Sequence, residues 1–179
     1  MMISVSIIIP IHNAEQYIDR CIRSLQGQTQ KQIELIFVND CCTDGSMKIV
    51  QNLIDDKSHD YIVKVLSNSE RLGVSESRKK GALSATGEYI GWVDADDWVE
   101  PETYEKMYNI AVLENADIVV SNSIWHYADQ VKYMEYKHNK CPIDGLLKMY
   151  DHRYLPYQLW SHLIMIRDNG EKYKINIPN

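Results

Sequence analysis

The apolar positions of this chain alternate between short unbroken runs and spaced stripes, and that alternation predicts a layered α/β fold. Ser4–Pro10 (SVSIIIP) is β-branched and nearly all apolar, the pattern of a buried strand. Ala14, Tyr17, Ile18, Cys21, Ile22 and Leu25 then recur at helical spacing and predict one buried stripe of an amphipathic helix. Glu34–Asn39 (ELIFVN) predicts a second strand, Gly45–Ile54 a second helix and Ile62–Leu66 a third strand. Val74, Arg78, Gly81, Ala82 and Ala85 mark a third helix, whose small-residue face lets it sit close on a sheet. Tyr89–Val93 is a fourth strand, and Pro101 suits the first turn of a fourth helix with Tyr104, Met107, Tyr108 and Ala111 on one face. Ile118–Ser121 (IVVS) closes the series as a fifth strand. Strands separated by helices imply right-handed βαβ units and a mainly parallel sheet flanked by helices.

From about Trp125 the pattern weakens. Tyrosine, histidine and lysine alternate without a clean period through Cys141, Gly145–Tyr150 and Pro156–Ile166 read as short helices, and Lys172–Asn179 reads as extended. The chain therefore divides into a core over residues 1–125 and a second, incomplete region over 126–179.

Composition narrows the partners. With 45% hydrophobic residues, four tryptophans and twelve tyrosines, the 179-residue chain can build a sizeable core. A net charge of −6, with no basic run longer than Arg78-Lys79-Lys80, argues against nucleic acid, whose binders carry a concentrated basic stripe. Cys21, Cys41, Cys42 and Cys141 lack CxxC spacing and read as free thiols of a reducing compartment. Neither a signal-peptide pattern nor an apolar run long enough to span a bilayer is present, so the expected location is cytoplasmic, with at most peripheral membrane association.

In open parallel sheets ligands bind beyond the carboxyl ends of the strands. Here those ends read Pro10-Ile11-His12-Asn13 with Glu15 following, Asn39-Asp40 before a turn-rich CCTDG, and Asp94-Ala95-Asp96-Asp97. Three carboxylates in four residues repel one another, and a hard cation such as Mg²⁺ or Mn²⁺ relieves that repulsion while favouring phosphate oxygens. The alternative is a solvated acidic turn capping the helix near Pro101. No GxGxxG follows the first strand and no GxxxxGK[ST] occurs, which leaves a nucleotide site built on carboxylates and a metal. Arg78, on the sheet-facing side of its helix, must be paired, either with a carboxylate of the cluster or with a phosphate.

Four blocks in order, VSIIIPIHNAEQYIDRCIRSLQGQT, ELIFVNDCCTDGS, RLGVSESRKKGALSATGEYIGWVDADDW and the helix–strand unit after them, resemble the GT-A glycosyltransferases of family 2 from Val5 to about Asn122. The resemblance implies a GT-A fold and transfer of a sugar from a nucleoside-diphosphate sugar, uridine in many members, to a saccharide or lipid-linked acceptor. It implies that Asp40 accepts a hydrogen bond from the base, capping of the Thr43–Gly45 turn being its alternative role. Pro10, His12, Asn13 and Glu15 are implied to line base and ribose, with His12 standing where the family usually has tyrosine. Asp94 and the adjacent Ala95 are implied to lie against the nucleotide, Asp96 to ligate the metal, and Asp97 to support it or cap a helix. Arg78, or Arg71 in the preceding loop, is implied to reach the nucleotide.

The family's general base is an Asp or Glu downstream of the acidic cluster. It is expected beyond Asn179, with Asp144, Asp151 and Asp168 as fallbacks. That gap leaves a non-catalytic nucleotide- and metal-binding fragment, or a partner-binding module, as the alternative to an enzyme. A nucleotidyltransferase is disfavoured because PIHNAEQ stands where a glycine- and lysine-rich triphosphate loop belongs. A homodimer is left open as the oligomeric state.

Overall fold

Unbroken burial of Val5–Ile11 makes this strand, β1, the centre of the molecule in the computed structural model, which describes residues 3–55, 61–127, 129–134 and 162–165. The elements that follow are α1 (Ile18–Gln26), β2 (Ile33–Asn39), α2 (Ser46–Asp55), β3 (Ile62–Ser67), α3 (Val74–Ser84), β4 (Tyr89–Trp92), α4 (Thr103–Leu113) and β5 (Ile118–Val120). Each of these matches a predicted element to within a few residues. Beyond them lie β6 (Ser123–His126), β7 (Val131–Met134) and β8 (His162–Met165).

The main sheet has the order β3-β2-β1-β4-β8-β5. β1 pairs in parallel with β2 (Ile8 opposite Ile36) and with β4 (Ile8 opposite Trp92), and β2 pairs in parallel with β3. Strand order reverses between β1 and β4, which opens a crevice at their carboxyl ends. β8 runs antiparallel to both β4 and β5, so the sheet is mainly parallel, as expected of a GT-A fold.

Pleating divides the core into two layers. Ile7, Ile9 and Ile11 face α1, α2 and α4 together with Leu35 and Phe37, whereas Ile8, Ile36, Val38, Ile90 and Trp92 face Ala82 of α3. The small face of α3 does what its sequence suggests: a Cβ at Gly81 would run into Ile8 Cγ2. Gly81→Ala is therefore expected to cost about 1–3 kcal/mol through overpacking, read as a lowered midpoint in urea denaturation.

Five local expectations are corrected. α1 begins at Ile18 rather than at Ala14, because the Ala14 amide donates to Ser46 Oγ (2.8 Å) and its carbonyl closes a turn onto Tyr17. Tyr17, expected in the core stripe, is 53% exposed as a result, and Val74, expected against the sheet, is 49% exposed at the first turn of α3. Pro101 precedes α4 instead of entering its first turn, with its carbonyl accepting from the Thr29 amide at 2.9 Å. The stretch Pro156–Ile166, read as a short helix, contains β8. The hairpin of β6 and β7 has no counterpart among the predicted elements; it straddles the expected boundary at residue 125, and β8 joins the same sheet as β1. Gly145–Tyr150, Lys172–Asn179 and Cys141 lie outside the described residues, and among the described residues no helix is long and apolar enough to cross a membrane.

Candidate functional site

At the β1/β4 reversal a cleft of about 270 Å³ opens. Pro10 to Ala14 form its β1 wall, Asp40 its β2 wall, and Asp94, Ala95 and Asp96 its β4 wall, while Tyr17, Val74 and Ser77 close it from α1 and α3. Seven of the nine predicted site residues thus come together: Pro10, His12, Asn13, Asp40, Asp94, Ala95 and Asp96. Glu15 and Arg78 are absent from this lining.

Asp40 is only 3% exposed and is almost fully engaged. Its Oδ1 accepts from Asn68 Nδ2 and from the Leu72 amide, both at 2.8 Å, and its Oδ2 accepts from the Gly73 amide at 2.9 Å. Burial by itself would raise its pKa; the hydrogen bonds from Asn68, Leu72 and Gly73, helped by nearby His12, outweigh burial and hold it below the ordinary carboxylate value. The turn that Asp40 caps is therefore Leu72–Gly73, at the start of α3, and not Thr43–Gly45. Gly73 sits there at φ 87°, a conformation glycine adopts without steric cost. Oδ2 accepts one of these hydrogen bonds where Oδ1 accepts two, and Asp40 lines the cleft.

The Thr43–Gly45 turn is held from β1 instead. Asn13 Oδ1 accepts from the Thr43 amide (2.8 Å), Glu15 Oε2 accepts from the Gly45 amide (2.9 Å), and Asp44 Oδ2 accepts from the Glu15 amide (3.0 Å). Asn13 does this at φ 50° and Cys41 stands at φ 56°, so both loops carry left-handed residues beside the cleft. His12 Nδ1 lies 2.7 Å from the Asp40 carbonyl oxygen. A carbonyl only accepts, so Nδ1 donates this hydrogen bond and Nε2 is left for other partners.

On the β4 side Arg78 donates from its terminal nitrogen to Asp94 Oδ1 at 2.5 Å, which selects the carboxylate of its two expected partners within this chain. Asp97 is pushed up to about 6, first by burial and then by the charges of Asp96 and Asp94, against the pull of Arg78. Beneath the turn, Cys21 is buried, with Sγ 3.7 Å from the Asp94 carbonyl oxygen, and burial followed by the three aspartates raises its thiol to about 12. It is an inert core thiol. Cys41 and Cys42 are likewise free.

Among the described residues no three His, Cys, Asp or Glu side chains converge as a metal-ligand group. The donor set nonetheless suits a hard cation. Asp94 and Asp96 bring carboxylate oxygens to the cleft wall, and Mg²⁺ or Mn²⁺ commonly takes one or two carboxylates and completes its shell with phosphate oxygens and water.

Ala14, Tyr17, Val74 and Ser77 of the lining, and Asn68 behind Asp40, are site residues the sequence did not reveal. Asn68 joins Asp40 to Ser77, donating to both (2.8 and 3.0 Å), from an undistinguished NSERLG turn.

The family model for glycosyl transferase family 2 matches residues 6–171, and the chain belongs to that family. The putative glycosyltransferase EpsH of Bacillus subtilis (strain 168) is 36% identical over 132 residues, which are 74% of this chain and 37% of that protein. TarS of S. aureus, solved in complex with UDP, superposes with a TM-score of 0.61 at 27% identity, over 66% of this chain and 35% of that one. A mannosyltransferase from Pyrobaculum calidifontis, solved with GDP-Man and Mn²⁺, shares the fold with a TM-score of 0.51 at 23% identity, over 55% of this chain and 29% of that one. The chain thus spans little more than a third of the length of EpsH.

Proposed function

We propose that this chain carries the donor-binding half of a glycosyltransferase that moves a sugar from a nucleoside-diphosphate sugar, a uridine diphosphate sugar by preference, to a saccharide or lipid-linked acceptor. The carrying observation is the cleft itself, where the ends of β1, β2 and β4 bring an aromatic ring, a buried aspartate and an acidic turn to one opening. The complex of TarS with UDP supports the same class of ligand, and relatives named as glycosyltransferases support an enzyme over a binding-only module.

In this reading the base lies against Pro10 and His12, and Asp40 Oδ2 accepts from its N–H. Asn13 and Glu15 act by fixing the loops around base and ribose. Asp94, oriented by Arg78, and the adjacent Ala95 face the ribose and diphosphate. Asp96 holds Mg²⁺ or Mn²⁺, which when bound offsets the charge that develops on the leaving diphosphate. Residues 1–125 supply this donor side, and residues 126–179 begin the acceptor side while lending β8 to the shared sheet. The general base belongs to the acceptor side; Asp144, Asp151 and Asp168 lie outside the described residues.

Calorimetric titration of UDP into the wild-type chain tests this. Binding that strengthens about tenfold or more when Mn²⁺ is added is the expected result, the size of effect that one additional charge-assisted interaction supplies. Absence of UDP binding with and without Mn²⁺ overturns the reading.

A further inference from the structure

One side-chain cluster lies outside the lining of the cleft. Arg20 of α1 lays its guanidinium over the indole of Trp98, with Cζ 3.1 Å from the ring centroid. His126 of β6 stacks on the same indole, with centroids 4.9 Å apart and planes at 47°. Chain neighbours of the cluster line the cleft: Tyr17, three residues before Arg20, and Asp96, two before Trp98.

A guanidinium held over an aromatic face is attracted to the ring, while N–H groups that do not face the ring stay free to donate. Arg23 is paired with Asp19 and Arg78 with Asp94, but among the described residues Arg20 makes no ion pair or hydrogen bond beyond this stack. Arg20 and His126 are both exposed, so the free edge and the second ring are reachable from solvent. The planar fork of arginine fits the oxygens of a phosphate. The surroundings give such a fork a purpose. With a net charge of −6 and three aspartates at the cleft, an anionic acceptor would be repelled from the site unless a local cation received it.

We propose that the Arg20–Trp98–His126 stack is an oxyanion subsite that receives the phosphate group of the acceptor beside the donor cleft. This rests on the donor reading of the cleft given above.

The test measures binding of farnesyl phosphate, inorganic phosphate and farnesol to wild type, Arg20→Ala and Arg20→Lys, by calorimetry and tryptophan fluorescence, with UDP affinity measured on each. Farnesyl phosphate is expected to bind wild type and to weaken roughly tenfold or more in Arg20→Ala. Arg20→Lys, which keeps the charge and loses the fork, is expected to fall between the two, and UDP affinity to stay within about twofold throughout. If inorganic phosphate binds as tightly and is lost in the same way, the recognised source is the phosphate alone; if only the ester responds, it is a lipid-linked headgroup. Wild type that does not bind farnesyl phosphate, binding unchanged in Arg20→Ala, or farnesol binding as tightly overturns the proposal. Wild type that binds farnesyl phosphate through Arg20 but does not bind UDP would remove the donor reading, and with it the acceptor role, and leave an oxyanion site only.

Discussion

Asp96→Ala is expected to weaken UDP binding in the presence of Mn²⁺ about 30-fold while leaving thermal stability unchanged. The three aspartates of the acidic turn are not equivalent. Asp94 is committed to Arg78, and Asp97 is half-buried and pushed up to about 6. Asp96 lines the cleft, is exposed, and has no hydrogen bond or ion pair among the described residues. A carboxylate with no structural duty can be removed without a folding cost, and the loss of one charge-assisted interaction, about 2 kcal/mol, is the affinity change stated. The same substitution removes the largest charge acting on Asp97, so its pKa should move down toward the ordinary value, observable by NMR titration. Equal UDP affinity in wild type and Asp96→Ala would remove Asp96 from the metal site.

The second large effect lies at the opposite edge of the sheet and concerns stability. Glu34, on β2, is fully buried: Oε1 accepts from Ser6 Oγ and the Thr86 amide, both at 2.5 Å, and from Thr86 Oγ1 at 2.9 Å. Lys64 Nζ forms an ion pair with Oε2 at 2.6 Å. Ser6 Oγ in turn accepts from the Gly87 amide, so one carboxylate organises β1, β2, β3 and the turn before β4. Glu34→Ala leaves these donors and a partly exposed ammonium without their partner and is expected to cost about 3–5 kcal/mol in urea denaturation. Burial alone would raise the pKa of Glu34, but Lys64, Ser6 and Thr86 hold it below its ordinary value of 4.5. A lowered folded-state pKa means that the stabilisation is fully present above the unfolded value and is lost as pH falls from about 4.5 through the folded value. Wild type should therefore lose stability on acidification below about pH 4.5, and Glu34→Gln should show a flatter profile over that window. An identical acid profile in the variant would show that Glu34 does not carry this dependence.

The fold was legible wherever burial was complete. β1, β2 and β4 are buried on both faces and stand out as apolar runs, and the Gly81-Ala82 face of α3 announced close packing. Legibility failed where an element is half-exposed or where its partner comes from far along the chain. The β6–β7 hairpin leaves Ile124, Val131 and Tyr133 exposed, so its sequence lacks the inside–outside contrast of a strand against a core. β8 is four residues long and enters between two strands that precede it by more than forty residues, which no local period encodes.

The site divides in the same way. Asp40 and the acidic turn could be placed at strand ends, but the donors that occupy Asp40 come from Asn68, Leu72 and Gly73, and the loop connections of Asn13 and Glu15 reach across to Thr43 and Gly45. Tyr17 and Val74 kept helical spacing with the core residues, and only the late start of α1 and the exposed first turn of α3 turned them toward the cleft.

The most direct test of the donor cleft is a crystal structure of the chain grown with UDP and Mn²⁺. The uracil ring is expected against Pro10 and His12 within hydrogen-bond reach of Asp40, with manganese density between the diphosphate and Asp96. Nucleotide bound elsewhere, or bound in this cleft with its diphosphate directed away from Asp96, would contradict it.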